Sequence, residues 1–108
     1  MKIGISILAY GDEHINEANT LINKLVLYNN LQIYVTTNDQ EKIIKNEMVS
    51  VIEIDEPFNF NLKRYGVQKA FEDTDLVVLF DSDIYVLSKI HFNLMQDIDD
   101  GLYISRYD

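Results

Sequence analysis

The amino-acid sequence predicts an α/β fold, a mainly parallel sheet with helices on both faces, in a single domain spanning residues 1–108. Two observations predict it. Short β-favouring apolar runs alternate with segments of helical periodicity along the chain, and such alternation builds parallel strands joined by helical crossovers. The run Leu76-Val77-Val78-Leu79-Phe80 is apolar at every position, as in a strand buried on both faces.

Each element has its own signal. Ile3–Tyr10 is apolar and β-favouring and reads as the first strand. Ile15, Ala18, Leu21, Ile22, Leu25 and Val26 then recur at helical spacing up to the Asn29-Asn30 break. Leu31–Thr37 reads as a second strand, closed by Asn38-Asp39, a turn and helix-start signal. Glu41–Asn46 is expected to be a short helix, and Met48–Ile54 a third strand ending before Asp55-Glu56-Pro57. Asn61–Asp73 is helical: at 100° per residue, Leu62, Gly66, Val67, Ala70 and Phe71 form one apolar arc toward the sheet. After the strand Leu76–Phe80 and the triplet Asp81-Ser82-Asp83 come a short strand, Ile84–Leu87, and a helical turn or two around His91–Ile98. Gly101 opens a last strand, Leu102–Tyr107.

Composition narrows the function. The chain has 108 residues, 47% of them hydrophobic and 25% charged, which is ordinary for one small globular domain. It has no cysteine, which removes disulfides, thiolate metal sites and cysteine nucleophiles and fits a reducing, cytoplasmic setting. No apolar run is long enough for a transmembrane segment. The net charge of −9 argues against nucleic acid and anionic membrane surfaces as partners. An acidic protein still binds a diphosphate if a divalent cation sits between the two anions.

Ligands of parallel sheets bind beyond the carboxyl ends of the strands. Those ends here are Ala9-Tyr10-Gly11, Thr37-Asn38-Asp39, Asp55-Glu56 and Asp81-Ser82-Asp83. The last triplet follows the most apolar strand. Two carboxylates that close repel each other, and a hard, oxygen-liganded cation such as Mg²⁺ or Mn²⁺ relieves the repulsion. Turn aspartates that cap or stay solvated give the same triplet, and the buried strand before it favours the metal reading. In the helix Asn61–Asp73, Lys63 falls on the sheet-facing arc but in the first turn, where a lysine can snorkel toward an anion that also meets the helix dipole. Arg64 borders the arc and reaches the same space; either residue is also what an exposed surface cation looks like. His14 and His91 lack partners at metal-ligand spacing and read as structural or surface residues. No serine sits in a nucleophile elbow, and there is no G-x-G-x-x-G or P-loop.

The order Lys63-Arg64-Tyr65, Lys69-Ala70-Phe71, then Asp75 through Asp83 and Ile84-Tyr85-Val86-Leu87 resembles the central block of GT-A-fold glycosyltransferases. It is closest to the glycogenin-like, family 8 type. Asp99-Asp100-Gly101-Leu102-Tyr103-Ile104 is similar to that family's strand after its D-x-D motif. Ile5–Gly11 and Val35-Thr36-Thr37-Asn38-Asp39 are similar to its nucleotide-binding strand ends. The resemblance spans the chain, but only its middle is specific. It implies a Rossmann-like sheet that binds a nucleotide-diphospho-sugar, most readily a uridine diphosphate sugar, and transfers the sugar to a glycan or other acceptor. It implies Asp83 as a direct Mn²⁺ or Mg²⁺ ligand and Asp81 on metal and ribose, with Ser82 between them against the substrate. Arg64 is implied on the diphosphate or sugar, where position in the helix favours Lys63, and Ala9, Tyr10 and Asp39 in the nucleoside pocket. The family's acceptor-contacting segments and a late histidine ligand have no counterpart before Asp108. The chain is therefore expected to be the donor-binding half of a transferase, completed by further sequence or a partner chain, with no catalytic base or nucleophile assignable. The competing readings are a nucleotide-sugar-binding module without catalysis and a haloacid-dehalogenase-type phosphohydrolase. In the latter the D-x-D opens the domain and continues with Gly-Thr or similar, whereas Ile84-Tyr85 follows here and three strands precede it.

Overall fold

The computed structural model describes residues 2–28, 31–80 and 103–105. Its elements are strand β1 (Ile3–Ala9), helix α1 (Asp12–Tyr28), strands β2 (Gln32–Thr37) and β3 (Val49–Glu53), helix α2 (Lys63–Asp73), and strands β4 (Leu76–Phe80) and β5 (Tyr103–Ser105). The strands form one sheet in the order β3-β2-β1-β4-β5, and every pairing is parallel. This is the α/β architecture that the alternating pattern predicts. The expected strand Ile84–Leu87, the helical turn around His91–Ile98 and the triplet Asp81-Ser82-Asp83 lie outside the described residues.

Alternation of side chains along each strand divides the core between two faces. On one, Ile5, Ile7 and Ala9 of β1 join Ile33, Val35, Val78 and Phe80 against the α1 stripe Ile15, Ala18, Leu21, Ile22 and Leu25. These are the helically spaced apolar residues of the sequence, and each is at most 1% exposed on α1. On the other face, Tyr34, Val77 and Ala70 pack together, with Ile52 and Val67 beside them. There α2 lies close to the sheet, because Gly66 sits over Ser6 and Thr36. Helices therefore cover both faces.

Two local expectations change. Glu41–Asn46 is not a helix; only a 3₁₀ turn forms, at Gln40–Lys42. The side chain of Asn19 on α1 supplies the reason. Its Nδ2 donates to the Lys42 carbonyl at 2.8 Å and its Oδ1 accepts from Ile44 N–H at 3.0 Å, so backbone groups that a helix would pair are satisfied from across the chain. The second change is Phe71, which is 44% exposed rather than part of the sheet-facing arc. Contact runs along Leu62, Gly66 and Ala70, all buried at i, i+4 spacing, and a residue adjacent to Ala70 is turned away by about 100°.

Candidate functional site

The strand order creates a switch point. From β1 the chain crosses to β2 on one side, while β4 pairs with β1 on the other. Crossovers therefore diverge from the carboxyl ends of β1 and β4, and the crevice between those ends is where open parallel sheets take ligands. β1 ends at Ala9, fully buried and in register with Thr37, and Ile7 is in register with Phe80. Asp81 follows Phe80 directly in the chain.

On one flank, the turn from β1 into α1 passes through Gly11 at φ 91°, a left-handed conformation that favours glycine. Its N–H donates to Asn38 Oδ1 at 2.9 Å, which ties the ends of β1 and β2 together. The first turn of α1 carries Asp12 and Glu13. Lys42 answers this charge: its Nζ lies 2.7 Å from Asp12 Oδ1 and 3.6 Å from Asp39 Oδ2. The hydrogen bond and charge of Asp12 hold the Lys42 ammonium above its ordinary pKa, with Asp39 adding to the effect. The α1 terminus is thus acidic, and Lys42 beside it is already engaged by Asp12 and Asp39. It is a poor seat for a phosphate.

On the other flank the helix start is cationic. Helix α2 starts at Lys63 and Arg64 with no acidic residue in its first turn, and Leu62 provides no side-chain cap. Cations at a helix N-terminus oppose the dipole, each at about 0.3–1 kcal/mol. Lys63 is half-buried and Arg64 exposed. The segment leading into this helix is tied to β1 by Glu56. The Glu56 carbonyl accepts from the Tyr10 hydroxyl, and its carboxylate accepts from the Tyr65 hydroxyl at 3.1 and 3.2 Å. Phe58, 48% exposed, meets the Tyr10 ring with centroids 5.6 Å apart. Arg64 stacks on Tyr65, 4.7 Å from its centroid, and donates from Nη2 to the same hydroxyl at 3.1 Å.

Of the sequence-predicted residues, Ala9, Tyr10, Asp39, Lys63 and Arg64 stand at this one edge of the sheet. Asp81, Ser82 and Asp83 lie outside the described residues. Glu56 was expected at this edge as a strand end, but not as the partner of Tyr10 and Tyr65; Phe58 and Tyr65 were not foreseen there. Tyr65 is signalled only by its place beside Arg64, and the nine-residue separation of Glu56 and Tyr65 has no period that reveals a contact. Lys42 was also unforeseen, since a lysine in an expected helix reads as solvated. His14 pairs with Glu17 on the surface of α1 at 3.2 Å, in keeping with a structural or surface role. Among the described residues no cluster of three or more acidic, histidine or cysteine side chains is placed to hold a metal, and no helix is long and apolar enough to cross a membrane.

A cavity lies elsewhere. About 590 Å³ opens at the amino-terminal edge of the sheet among Lys2, Leu31, Gln32, Tyr34, Asp73 and Thr74. Among the described residues neither a helix N-terminus nor a switch point faces that edge. Topology and the arrangement of charge therefore favour the carboxyl edge for the candidate site. Comparison with known protein families finds no family model that matches the chain, and no curated protein matches it.

Proposed function

We propose that this chain binds a nucleotide-diphospho-sugar at the carboxyl edge of its sheet and is the donor-binding part of a metal-dependent glycosyltransferase working in the cytoplasm. One observation carries the reading: the all-parallel order β3-β2-β1-β4 brings the ends of β1 and β2, the cationic start of α2 and the chain leading into Asp81 to one switch-point edge. The Tyr10 side of that edge, with its aromatic neighbour Phe58, suits a nucleoside. Asp39 sits at the end of β2, within reach of hydroxyl groups that a carboxylate accepts from. The start of α2 suits the diphosphate, since an anion there would relieve the conflict between Lys63, Arg64 and the helix dipole.

Asp81 and Asp83 are the donors for a cation. Two carboxylates form a hard oxygen set that matches Mn²⁺ or Mg²⁺, and Ser82 adds a hydroxyl between them. When bound, the cation supplies charge neutralisation to the diphosphate leaving group. The protein's own residues bind and orient the donor: Arg64 and Lys63 meet phosphate oxygens, and Ala9 and Tyr10 border the nucleoside. A glycan or other acceptor, and a partner chain completing the site, belong to the same reading.

The test is titration with uridine diphosphate, with and without Mn²⁺, of the wild type and of Asp83→Asn. Binding should require Mn²⁺, and the substitution should remove most of the metal-dependent affinity with the fold retained. In an effective dielectric of about 20, unit charges 4 Å apart interact by roughly 4 kcal/mol, so two carboxylates facing a diphosphate without a cation oppose binding strongly. Equal binding in all four conditions would sink the reading. Turnover of a uridine diphosphate sugar would separate a transferase from a binding module.

A further inference from the structure

Arg64 is an exposed arginine on the first turn of α2, yet its guanidinium is held on two sides. Its Cζ lies over the Tyr65 ring, 4.7 Å from the centroid, and Nη2 donates to the Tyr65 hydroxyl at 3.1 Å. That hydroxyl in turn donates to the Glu56 carboxylate, within 3.2 Å of both oxygens. The chain of donors runs in one direction, from guanidinium to phenol to carboxylate. The phenol can serve both neighbours because a hydroxyl offers one donor and two acceptor lone pairs. Glu56 also anchors the segment itself, since its carbonyl takes the Tyr10 hydroxyl at the end of β1.

We propose that Tyr65 and Glu56 are positioning residues that set the Arg64 guanidinium for an anionic ligand at the switch-point edge. The proposal rests on the function proposed above and names how its cation is prepared. An arginine has several rotatable bonds, and fixing it on binding costs affinity unless it is already held. The contact with the ring face and the hydrogen bond to its hydroxyl together restrict where the guanidinium sits. The carboxylate completes the arrangement by polarising the phenol, which makes its oxygen a better acceptor for the arginine. A tyrosine that served only to fill space would need neither the hydroxyl nor the acid behind it. Within a surface pair worth little by itself, the gain appears when a ligand meets an arginine that no longer has to be ordered.

The experiment is a cycle of variants, read by calorimetric titration of uridine diphosphate in the presence of Mn²⁺. Arg64→Ala should weaken binding by about tenfold or more, as expected for loss of a charge-assisted hydrogen bond. Tyr65→Phe keeps the ring and removes the hydroxyl; it should weaken binding by roughly three- to tenfold, the scale of one immobilised side chain. In the Arg64→Ala background the same change should have no effect, a coupling that a general structural role would not produce. Glu56→Gln should repeat both results, and unfolding midpoints of the variants should stay near that of the wild type. Tyr65→Phe without effect beside a weakened Arg64→Ala, or an equal loss in both backgrounds, would overturn the positioning role while leaving the donor-binding reading intact. Undiminished binding by Arg64→Ala would overturn the role as well. Metal-independent binding would instead count against the donor-binding reading itself.

Discussion

Gly66 is the residue on which the closeness of α2 to the sheet depends. A Cβ added there would lie 2.4 Å from Ser6 Oγ and 2.8 Å from Thr36 Oγ1. Alanine gains about 1 kcal/mol of helix propensity over glycine, but overpacking a tight interface costs about 1–3 kcal/mol. Ser6 can rotate away, whereas Thr36 is β-branched and stiff, so the clash outweighs the propensity. Gly66→Ala should therefore destabilise the domain by about 1 kcal/mol in denaturant unfolding, and Ser6→Ala in the same chain should recover part of it. The two hydroxyls are buried and have no hydrogen-bond partner among the described residues, so Ser6→Ala alone should be neutral or slightly stabilising. The sequence placed Gly66 on the sheet-facing arc, but the hydroxyls beneath it could be found only once β1 and β2 were paired. Tyr34 gives a second prediction at this scale. It is 1% exposed and donates to Asp73 Oδ2 at 3.0 Å. Burial, then the hydrogen bond and charge of Asp73, push its pKa up to about 12 from 10.0. A raised acid pKa means that the folded state holds the proton more tightly. The stabilisation is complete below about pH 10 and is lost as pH rises through 12; it is on the order of 2 kcal/mol. The stability gap between wild type and Tyr34→Phe should accordingly narrow between pH 10 and 12.

At the level of elements, β4 is the clearest case of a segment readable from its residues: Leu76–Phe80 is apolar throughout and buried throughout. α1 is readable for the same reason, since a single stripe of apolar residues repeats at the helical period. The segment after Asn38 was misjudged because Asn19, some twenty residues earlier, decides its conformation through side-chain hydrogen bonds that local propensity does not contain. α2 was readable in extent but not in its conflict. Its first turn holds Lys63 and Arg64 without a side-chain cap, against the dipole. Local rules broken in this way tend to mark functional positions. Arg64→Ala tests this. Removing the cation gains a few tenths of a kcal/mol from the dipole and loses about as much in surface contact with Tyr65. Thermal unfolding should shift by less than about 0.5 kcal/mol in either direction while the affinity for nucleotide diphosphate falls. A large loss of stability would make Arg64 a structural residue.

For the whole molecule, what the sequence could not contain was the order of the strands. Alternating strands and helices announce a parallel sheet, but several orders satisfy that pattern, and only β3-β2-β1-β4 sets the switch point between the ends of β1 and β4. Once that order is known, residues far apart in the chain gather at one edge: Tyr10, Asp39, Glu56 and Arg64, with Asp81 next in the chain after β4. The opposite edge carries a cavity of about 590 Å³ beside Lys2, Gln32 and Asp73. The presence of that cavity favours one end of the sheet, and topology with charge placement favours the other. Hydrogen exchange can decide between them, because a ligand slows the opening of the backbone it contacts and leaves remote segments almost unchanged. Addition of uridine diphosphate with Mn²⁺ should slow exchange at residues 10–13, 38–40 and 56–65. Amides at Leu31, Gln32 and Thr74, around the opposite cavity, should keep their rates. Core amides of β1 should be slow in either state, since that strand pairs on both sides, and so they report global stability rather than the site. Protection confined to the Leu31, Gln32 and Thr74 region would move the ligand to the amino-terminal edge, and with it every role assigned to Arg64.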